Sequence, residues 1–278
     1  MKLKACFLLL ATLAATGGAH AQSAILPLAA HRAAYEISLV DSYEARTPDS
    51  QTPVSAAGLI AYEFTGSACE GYASSFRQLT QLQRSEGDPL SSDIRAITFE
   101  DGDAKALRFQ IDSDSDGSST AAIVGSARRA DGGDTTVALS KPASETLDLG
   151  KDILFPTEHI ERIIAKAKQG GGALQARVYD GSDTGKKVFE TLTVIGKQAS
   201  TPTPETDFAD VLGKLRRWPV TVSYFDEAAK DAPPEYVLSF DLYENGVSGT
   251  LKLDYGTFAL TGKLRKLEML PTKSACAK

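Results

Sequence analysis

The sequence is poor in cysteine, histidine and tryptophan, and this scarcity excludes several kinds of site. Its 278 residues include three Cys, three His and one Trp. Cys6 and His20 lie near the N-terminus, so only two of each type remain after residue 21. Two histidines are too few for a His-rich zinc site, and the chain has no HExxH pattern, no Gly-x-Ser-x-Gly elbow and no phosphate-binding loop. We therefore predict no metal, no cofactor and no catalytic residue.

Apolar runs long enough to span a membrane are also missing. The longest apolar run lies within residues 1–21, between Lys2 and Lys4 on one side and an Ala19-His20-Ala21 ending on the other. This arrangement is typical of a secretory signal peptide. We expect cleavage after Ala21 to release an exported, soluble chain without a transmembrane anchor.

A positive net charge is missing as well. Loss of Lys2 and Lys4 from the 30 basic residues leaves 28 against 36 acidic residues, a net charge of −8. The charges are interspersed along the chain, which is typical of a solvated surface. We therefore predict no nucleic-acid partner, because nucleic-acid binding generally needs a basic surface.

Cys69 and Cys276 are the two cysteines expected in the exported chain. In an oxidising compartment two such thiols predict one disulfide bond. It would close a loop of about 200 residues, for which chain-entropy arguments give about 5 kcal/mol of stabilisation.

Alternating apolar and polar residues predict a chain made mostly of strands. Short Asp-Gly and Asn-Gly turns join many of them, as in antiparallel hairpins. We expect residues 22–278 to form one mainly β domain, a large antiparallel meander curled into an open barrel or β-spiral. The 13 predicted strands are residues 31–40, 58–64, 72–82, 94–100, 104–111, 120–128, 135–139, 174–179, 187–195, 219–225, 236–243, 247–255 and 257–270.

Two segments have helical rather than strand periodicity. Apolar residues at 160, 163, 164 and 167 follow Pro156 and precede three glycines, which predicts one secure helix with one face on the sheet. Phe208, Val211, Leu212 and Leu215 predict a second, short helix that Pro219 ends.

An acidic stretch, Asp112-x-Asp114-x-Asp116-Gly117, matches the first half of a calcium-binding loop. Position twelve is Ile123 where calcium loops carry a bidentate Glu. A solvated acidic turn therefore explains the stretch better than a metal site.

A basic pair precedes the only tryptophan, in Arg216-Arg217-Trp218. These residues could form a pocket lip that binds a carboxylate, a phosphate or a partner's backbone. The alternative is a helix end with basic residues facing its dipole and Trp218 in the core. We keep the three residues as a possible binding site.

Six stretches of the sequence are distinctive enough to compare with known families. They are His31-Arg32-Ala33-Ala34-Tyr35, Tyr62-Glu63-Phe64-Thr65-Gly66-Ser67-Ala68-Cys69-Glu70-Gly71-Tyr72, Thr98-Phe99-Glu100-Asp101-Gly102, Val178-Tyr179-Asp180-Gly181-Ser182-Asp183, Arg217-Trp218-Pro219-Val220 and Leu242-Tyr243-Glu244-Asn245-Gly246. Together they resemble the EipB family of periplasmic envelope integrity proteins, catalogued as a domain of unknown function. The resemblance implies a periplasmic β-spiral with a disulfide at Cys69 and Cys276, and a role in envelope integrity without known catalysis, through binding of envelope components. It offers no active-site residue to transfer.

Two functional hypotheses follow. The first is a non-catalytic periplasmic protein whose curled sheet binds a lipid, a lipoprotein or an envelope protein. The second is an envelope hydrolase that uses carboxylates in a cleft. The abundance of Asp and Glu permits the second hypothesis, but the spacing of two carboxylates in the fold cannot be derived from sequence.

Overall fold

The computed structural model describes residues 27–40, 52–229 and 231–271. The predicted signal peptide and Cys276 lie outside these ranges. The described strands are β1 (His31–Leu39), β2 (Ser55–Ser67), β3 (Gly71–Gln83), β4 (Leu90–Glu100), β5 (Ala106–Ser115), β6 (Ser118–Arg129), β7 (Thr135–Lys141), β8 (Glu145–Gly150), β9 (Ile153–Leu154), β10 (Gly172–Val178), β11 (Phe189–Ile195), β12 (Arg217–Asp226), β13 (Tyr236–Tyr243), β14 (Ser248–Asp254) and β15 (Ala259–Met269).

All 15 strands belong to one sheet, in the order β8 to β1 and then β15 to β9. Every neighbouring pair is antiparallel except β9 and β10. Because strand twist accumulates over so many strands, the sheet curls into a nearly closed barrel. The predicted fold class, a mainly β meander curled into an open barrel with one secure and one short helix, is confirmed.

Helix α1 (Pro156–Lys168) connects the parallel strands β9 and β10 and confirms the predicted secure helix. Pro156 occupies its first turn, where a missing N–H costs no hydrogen bond. Glycines follow Gln169, and Gly170 and Gly171 both have positive φ, a backbone region that favours glycine and ends the helix. The apolar face packs on the inner side of the sheet, with Ile163, Ile164 and Ala167 buried.

The second helix, α2 (Ala209–Leu212), follows a single 3-10 turn at Thr206–Phe208. It ends at Gly213 rather than at Pro219, so that part of the prediction is wrong. Pro219 instead lies inside β12 and pairs with Asp241 of β13.

Buried side chains inside the curled sheet form three clusters. One surrounds α1 and includes Trp218 and Leu242, and a second joins β5–β7 to Ile153 and Phe155. The third fills the space between β1, β2 and β15 beside Leu212. The interior between β2, β3 and β11–β13 is thus filled by a helix.

Two strands were not predicted, β8 and β9. They form the two edges of the sheet, and only Lys151 and Asp152 separate them in the chain. β9 has two residues, too few for a periodic pattern, and the alternation in β8 is limited to Leu147 and Leu149 within six residues.

Candidate functional site: a cleft at the seam of the sheet

The two sheet edges face each other along a seam where strand pairing stops. Within the described ranges, β8 pairs only with β7, and β9 pairs only with β10. The parallel contact of β9 is limited to Ile153 and Leu154, opposite Arg177 and Val178. Side chains rather than a β-ladder therefore connect the two edges.

Arg177 of β10 makes the main connection across the seam. Its Nε and Nη2 donate to the two carboxylate oxygens of Glu227 at 2.7 and 3.0 Å. Nη1 donates to the carbonyl of Lys151 at 2.6 Å, and Nη2 to the carbonyl of Leu149 on β8 at 3.1 Å. A bidentate carboxylate fixes the planar guanidinium, so that its remaining donors satisfy carbonyls of the opposite edge.

Two further arginines share one carboxylate beside the seam. Arg129 Nη2 donates to Glu158 Oε2 at 2.8 Å, and Arg162 Nη2 donates to Glu158 Oε1 at 2.7 Å. Arg129 also donates to the carbonyl of Ile153 and lies over the Phe155 ring. The two guanidinium groups and the single carboxylate have a net charge of +1, and 57% of the Arg162 side chain is exposed.

We call the adjoining depression the seam cleft; its volume is about 770 Å³. That volume is within the range of small-molecule and peptide-sized pockets. Its lining mixes three arginines and two carboxylates with apolar side chains and with the backbone of β10. The lining residues are Arg129, Gly133, Asp152, Ile153, Leu154, Arg162, Gln175, Ala176, Arg177, Glu190, Thr191, Leu192 and Phe225.

A second, much smaller cavity of about 90 Å³ lies inside the sheet beside the start of α1. Glu100 at the end of β4 is 2% exposed, and its Oε1 accepts hydrogen bonds from the Thr157 N–H at 2.8 Å and from its hydroxyl at 2.6 Å. Burial raises the pKa of Glu100 to about 7, although the bonds from Thr157 oppose the shift. Its Oε2 has no hydrogen-bond partner among the described residues. Glu100 thus satisfies the first turn of α1 from a distant strand.

Both histidines of the described chain are buried. His31 Nδ1 lies 2.8 Å from the carbonyl of Ala29, and burial lowers its pKa. Burial also lowers the pKa of His159 to about 4, and its ring lies 3.5 Å from the Thr193 hydroxyl. Neither histidine lines the seam cleft.

The structure does not bring Arg216, Arg217 and Trp218 together as a pocket lip. Trp218 is 2% exposed and belongs to the cluster around α1. Arg217 is also buried, and it donates to the carbonyl and the hydroxyl of Thr201. Arg216 remains near the surface, with its Nε 2.7 Å from Glu244 Oε2 and its guanidinium beside the Trp218 ring. This geometry favours a structural role for all three.

Cys69 lies in the turn between β2 and β3, whereas Cys276 lies outside the described residues. Met269 of β15 pairs with His31, which pairs in turn with Phe64 near the end of β2. Met269 therefore lies two strand spacings, or about 10 Å, from Phe64, at the end of the sheet that carries the Cys69 turn. Four residues separate Pro271 from Cys276 in the sequence, and the pairing of Cys69 with Cys276 stays a prediction.

The acidic stretch is engaged in protein contacts. Asp114 pairs with Arg95, and Asp116 Oδ1 accepts from the Ser91 N–H at 2.8 Å. Asp112 Oδ2 accepts from Gln110 at 2.9 Å. Within the described ranges, no group of three potential ligands is placed to hold a metal ion.

The seam arginines and Glu100 were not recognised from the sequence. Arg177 and Leu149 are 28 residues apart, and Glu100 and Thr157 are 57 apart. The one available signal was that Glu100 lies within a stretch that carries the family resemblance. The contact between Glu100 and α1 forms only because the curled sheet brings the end of β4 beside the helix.

A family model described as EipB-like matches residues 22–271. The Cell envelope integrity protein EipB of Brucella abortus (strain 2308) is 39% identical over 266 residues, which cover 94% of this chain and 92% of that protein. A crystal structure of a beta-barrel-like protein of the domain of unknown function DUF1849, also from Brucella abortus, is similar with a TM-score of 0.80 and 38% identity. The match covers 88% of this chain and 99% of that one. In the part of the chain that the structure describes, no helix has the length and apolar character needed to cross a membrane.

Proposed function

Because the chain belongs to the EipB-like family, we propose that it is a non-catalytic periplasmic protein that supports cell-envelope integrity by binding an envelope component. The component is a lipid, a lipoprotein or an envelope protein. The relative named as a cell envelope integrity protein, at 39% identity over most of both chains, is the observation that carries the proposal. Periplasmic location is supported by the signal-peptide pattern of residues 1–21.

The seam cleft is the binding site that we assign to this function. It has a volume of about 770 Å³ and combines three cationic side chains, of which Arg162 is exposed, with apolar walls. Such a mixture suits a ligand that has both an apolar part and a negatively charged or hydrogen-bonding part. The alternative of an envelope hydrolase has no specific observation in its favour, since Glu100, whose pKa is raised to about 7, is buried away from this cleft.

A complementation experiment tests the proposal. A strain that lacks the gene should become sensitive to detergent and to large antibiotics, and the full-length gene should restore resistance. We expect a gene without residues 1–21 to fail, because its product stays in the cytoplasm. N-terminal sequencing of periplasmic protein should begin at Gln22.

Charge reversal then tests the cleft itself. Arg162→Glu places a carboxylate beside Glu158. The matched control is Arg265→Glu on β15, five strands from β10, which places a carboxylate beside Glu36 of β1. The two arginines are 57% and 48% exposed, so the changes perturb the surface similarly. We expect only Arg162→Glu to reduce resistance to detergent and large antibiotics. Equal resistance with both variants, at equal protein levels, would refute the seam cleft as the binding site.

A further inference from the structure

Part of β10 has no neighbouring strand on its seam side. β10 pairs with β11 from Gly172 to Val178, but β9 covers only Arg177 and Val178. Residues 172–176 therefore have a free edge within the described sheet. In a strand, consecutive residues direct their N–H and C=O groups to opposite sides, so the direction at each position follows from the known contacts.

Those contacts place Ala173 and Gln175 on the free side. The N–H of Tyr179 donates to the carbonyl of Leu154 on β9 at 3.0 Å, so residue 179 faces the seam. The Thr191 hydroxyl of β11 donates to the carbonyl of Ala176, which faces the other way. Since the pairing has no register shift, the N–H and C=O of Ala173 and Gln175 point away from β11, toward the free side. Of these two residues, Gln175 lines the seam cleft.

Residues 172–176 contain no charged residue, no proline and no bulge. Exposed edges are commonly protected by charged residues, proline or a bulge, whereas residues 172–176 read Gly-Ala-Leu-Gln-Ala and pair without a bulge. The opposite edge of the sheet, β8, is protected. Arg177 donates a hydrogen bond to the carbonyl of Leu149, and Lys186 forms an ion pair with Glu145 at 2.5 Å. Five open residues offer about 17 Å of backbone to a partner.

We propose that the seam cleft binds an extended segment of a partner polypeptide, which adds to β10 as a further strand. This proposal rests on the proposed function and narrows the envelope component to a protein. Unpaired backbone groups require a partner with a regular series of N–H and C=O groups, which an extended peptide supplies and a lipid chain does not. Because Arg129 and Arg162 share the carboxylate of Glu158, the segment carries an acidic side chain near them.

The partner segment is not uniformly acidic. Asp152 and Glu190 also line the seam cleft, and Arg177 is already paired with Glu227. A run of carboxylates would be repelled at these positions, whereas a single one near Arg162 is favoured. The apolar side chains of Leu192 and Phe225 suit apolar residues in the rest of the segment.

The first test changes the edge of β10. Twelve-residue peptides are selected from a random display library on the purified mature protein, and the best binder is synthesised as the probe. Its Kd is measured by fluorescence anisotropy for the native protein, Gln175→Pro and Gln175→Ala. Proline removes the N–H that faces the cleft without removing a bond to β11, and alanine keeps that N–H. We expect at least tenfold weaker binding for Gln175→Pro and less than twofold change for Gln175→Ala.

The second test changes the probe, so it does not depend on folding of a variant. Each backbone amide of the peptide is N-methylated in turn. Strand addition uses every second amide of the ligand, so affinity should fall at least tenfold at alternate positions only. Equal Kd values for Gln175→Pro and Gln175→Ala, or losses without this alternation, would overturn the proposal.

Vesicles of phosphatidylethanolamine and phosphatidylglycerol distinguish strand addition to β10 from the broader proposal that the protein binds an envelope component. If these vesicles bind through Arg162 and no library peptide binds, strand addition is wrong while envelope binding stands. If library peptides bind with the alternating pattern and vesicles do not compete, strand addition is supported.

Discussion

The buried carboxyl of Glu100 makes a specific prediction about stability and pH. Burial raises its pKa from the ordinary 4.5 to about 7 in the folded protein. The folded state therefore holds this proton more tightly than the unfolded state does. The resulting stabilisation is fully present below about pH 4.5 and is lost as the pH rises through about 7. A change of this size corresponds to about 3 kcal/mol of unfolding free energy.

The variant Glu100→Gln isolates this contribution. Its amide oxygen can still accept the two hydrogen bonds from Thr157, and it cannot ionise. We expect the variant and the native protein to differ by a roughly constant amount at and below pH 4.5. The native protein should then lose about 3 kcal/mol relative to the variant by pH 8, a change of roughly 6–12 °C in relative Tm for a domain of this size.

Urea unfolding at pH 4, 5, 6, 7 and 8 measures this difference. The variant is compared with the native protein because His159 also makes the free energy of unfolding depend on pH. Its pKa is lowered to about 4, so its contribution to stability is lost as the pH falls below 6.5, opposite to the effect of Glu100. The variant Glu268→Gln, which removes an exposed carboxylate, serves as the control. A constant difference between Glu100→Gln and native protein across the range would refute the reasoning, since it would mean that water reaches the carboxyl.

Three further predictions concern the stability of the fold. The intact mass of the exported protein should be about 2 Da below the value for two free thiols, and detection of two free thiols would contradict the pairing. Cys69→Ser, Cys276→Ser and the double variant should lower Tm by similar amounts, because each removes the same constraint. Trp218→Ala should cost about 3–5 kcal/mol in urea unfolding, since the side chain is 2% exposed; a loss below 1 kcal/mol would contradict its core position. Gly102→Ala should also lower Tm, because its Cβ would lie 1.8 Å from the carbonyl oxygen of Ala68 in the turn that carries Cys69; an unchanged Tm would show that this turn is not packed as described.

The elements that depend on local pattern were predictable from the sequence. The 3.6-residue periodicity of Ile160, Ile163 and Ile164 gave α1, and the resemblance to the EipB family is confirmed by the match over residues 22–271. The meander followed from alternating strands with short turns. Local periodicity was sufficient because each of these elements buries one face of its own segment.

The seam was not predictable, for a physical reason. Its position is set by where pairing around the whole barrel stops, and that depends on the accumulated twist of 15 strands. β8 is six residues long and β9 is two residues long, so neither has a long alternating sequence pattern. The triplet Arg216-Arg217-Trp218 illustrates the opposite problem, since residues that suggest a binding site locally are used for packing and loop attachment.

Site-specific photo-crosslinking in living cells tests most directly whether the seam cleft engages an envelope component. A benzophenone amino acid replaces Gln175 in one strain and Arg265, on the remote strand β15, in a matched control. We predict that illumination joins an envelope protein to the Gln175 position and that the Arg265 position gives no such adduct. Absence of an adduct at Gln175, or the same adduct from both positions, would contradict the account.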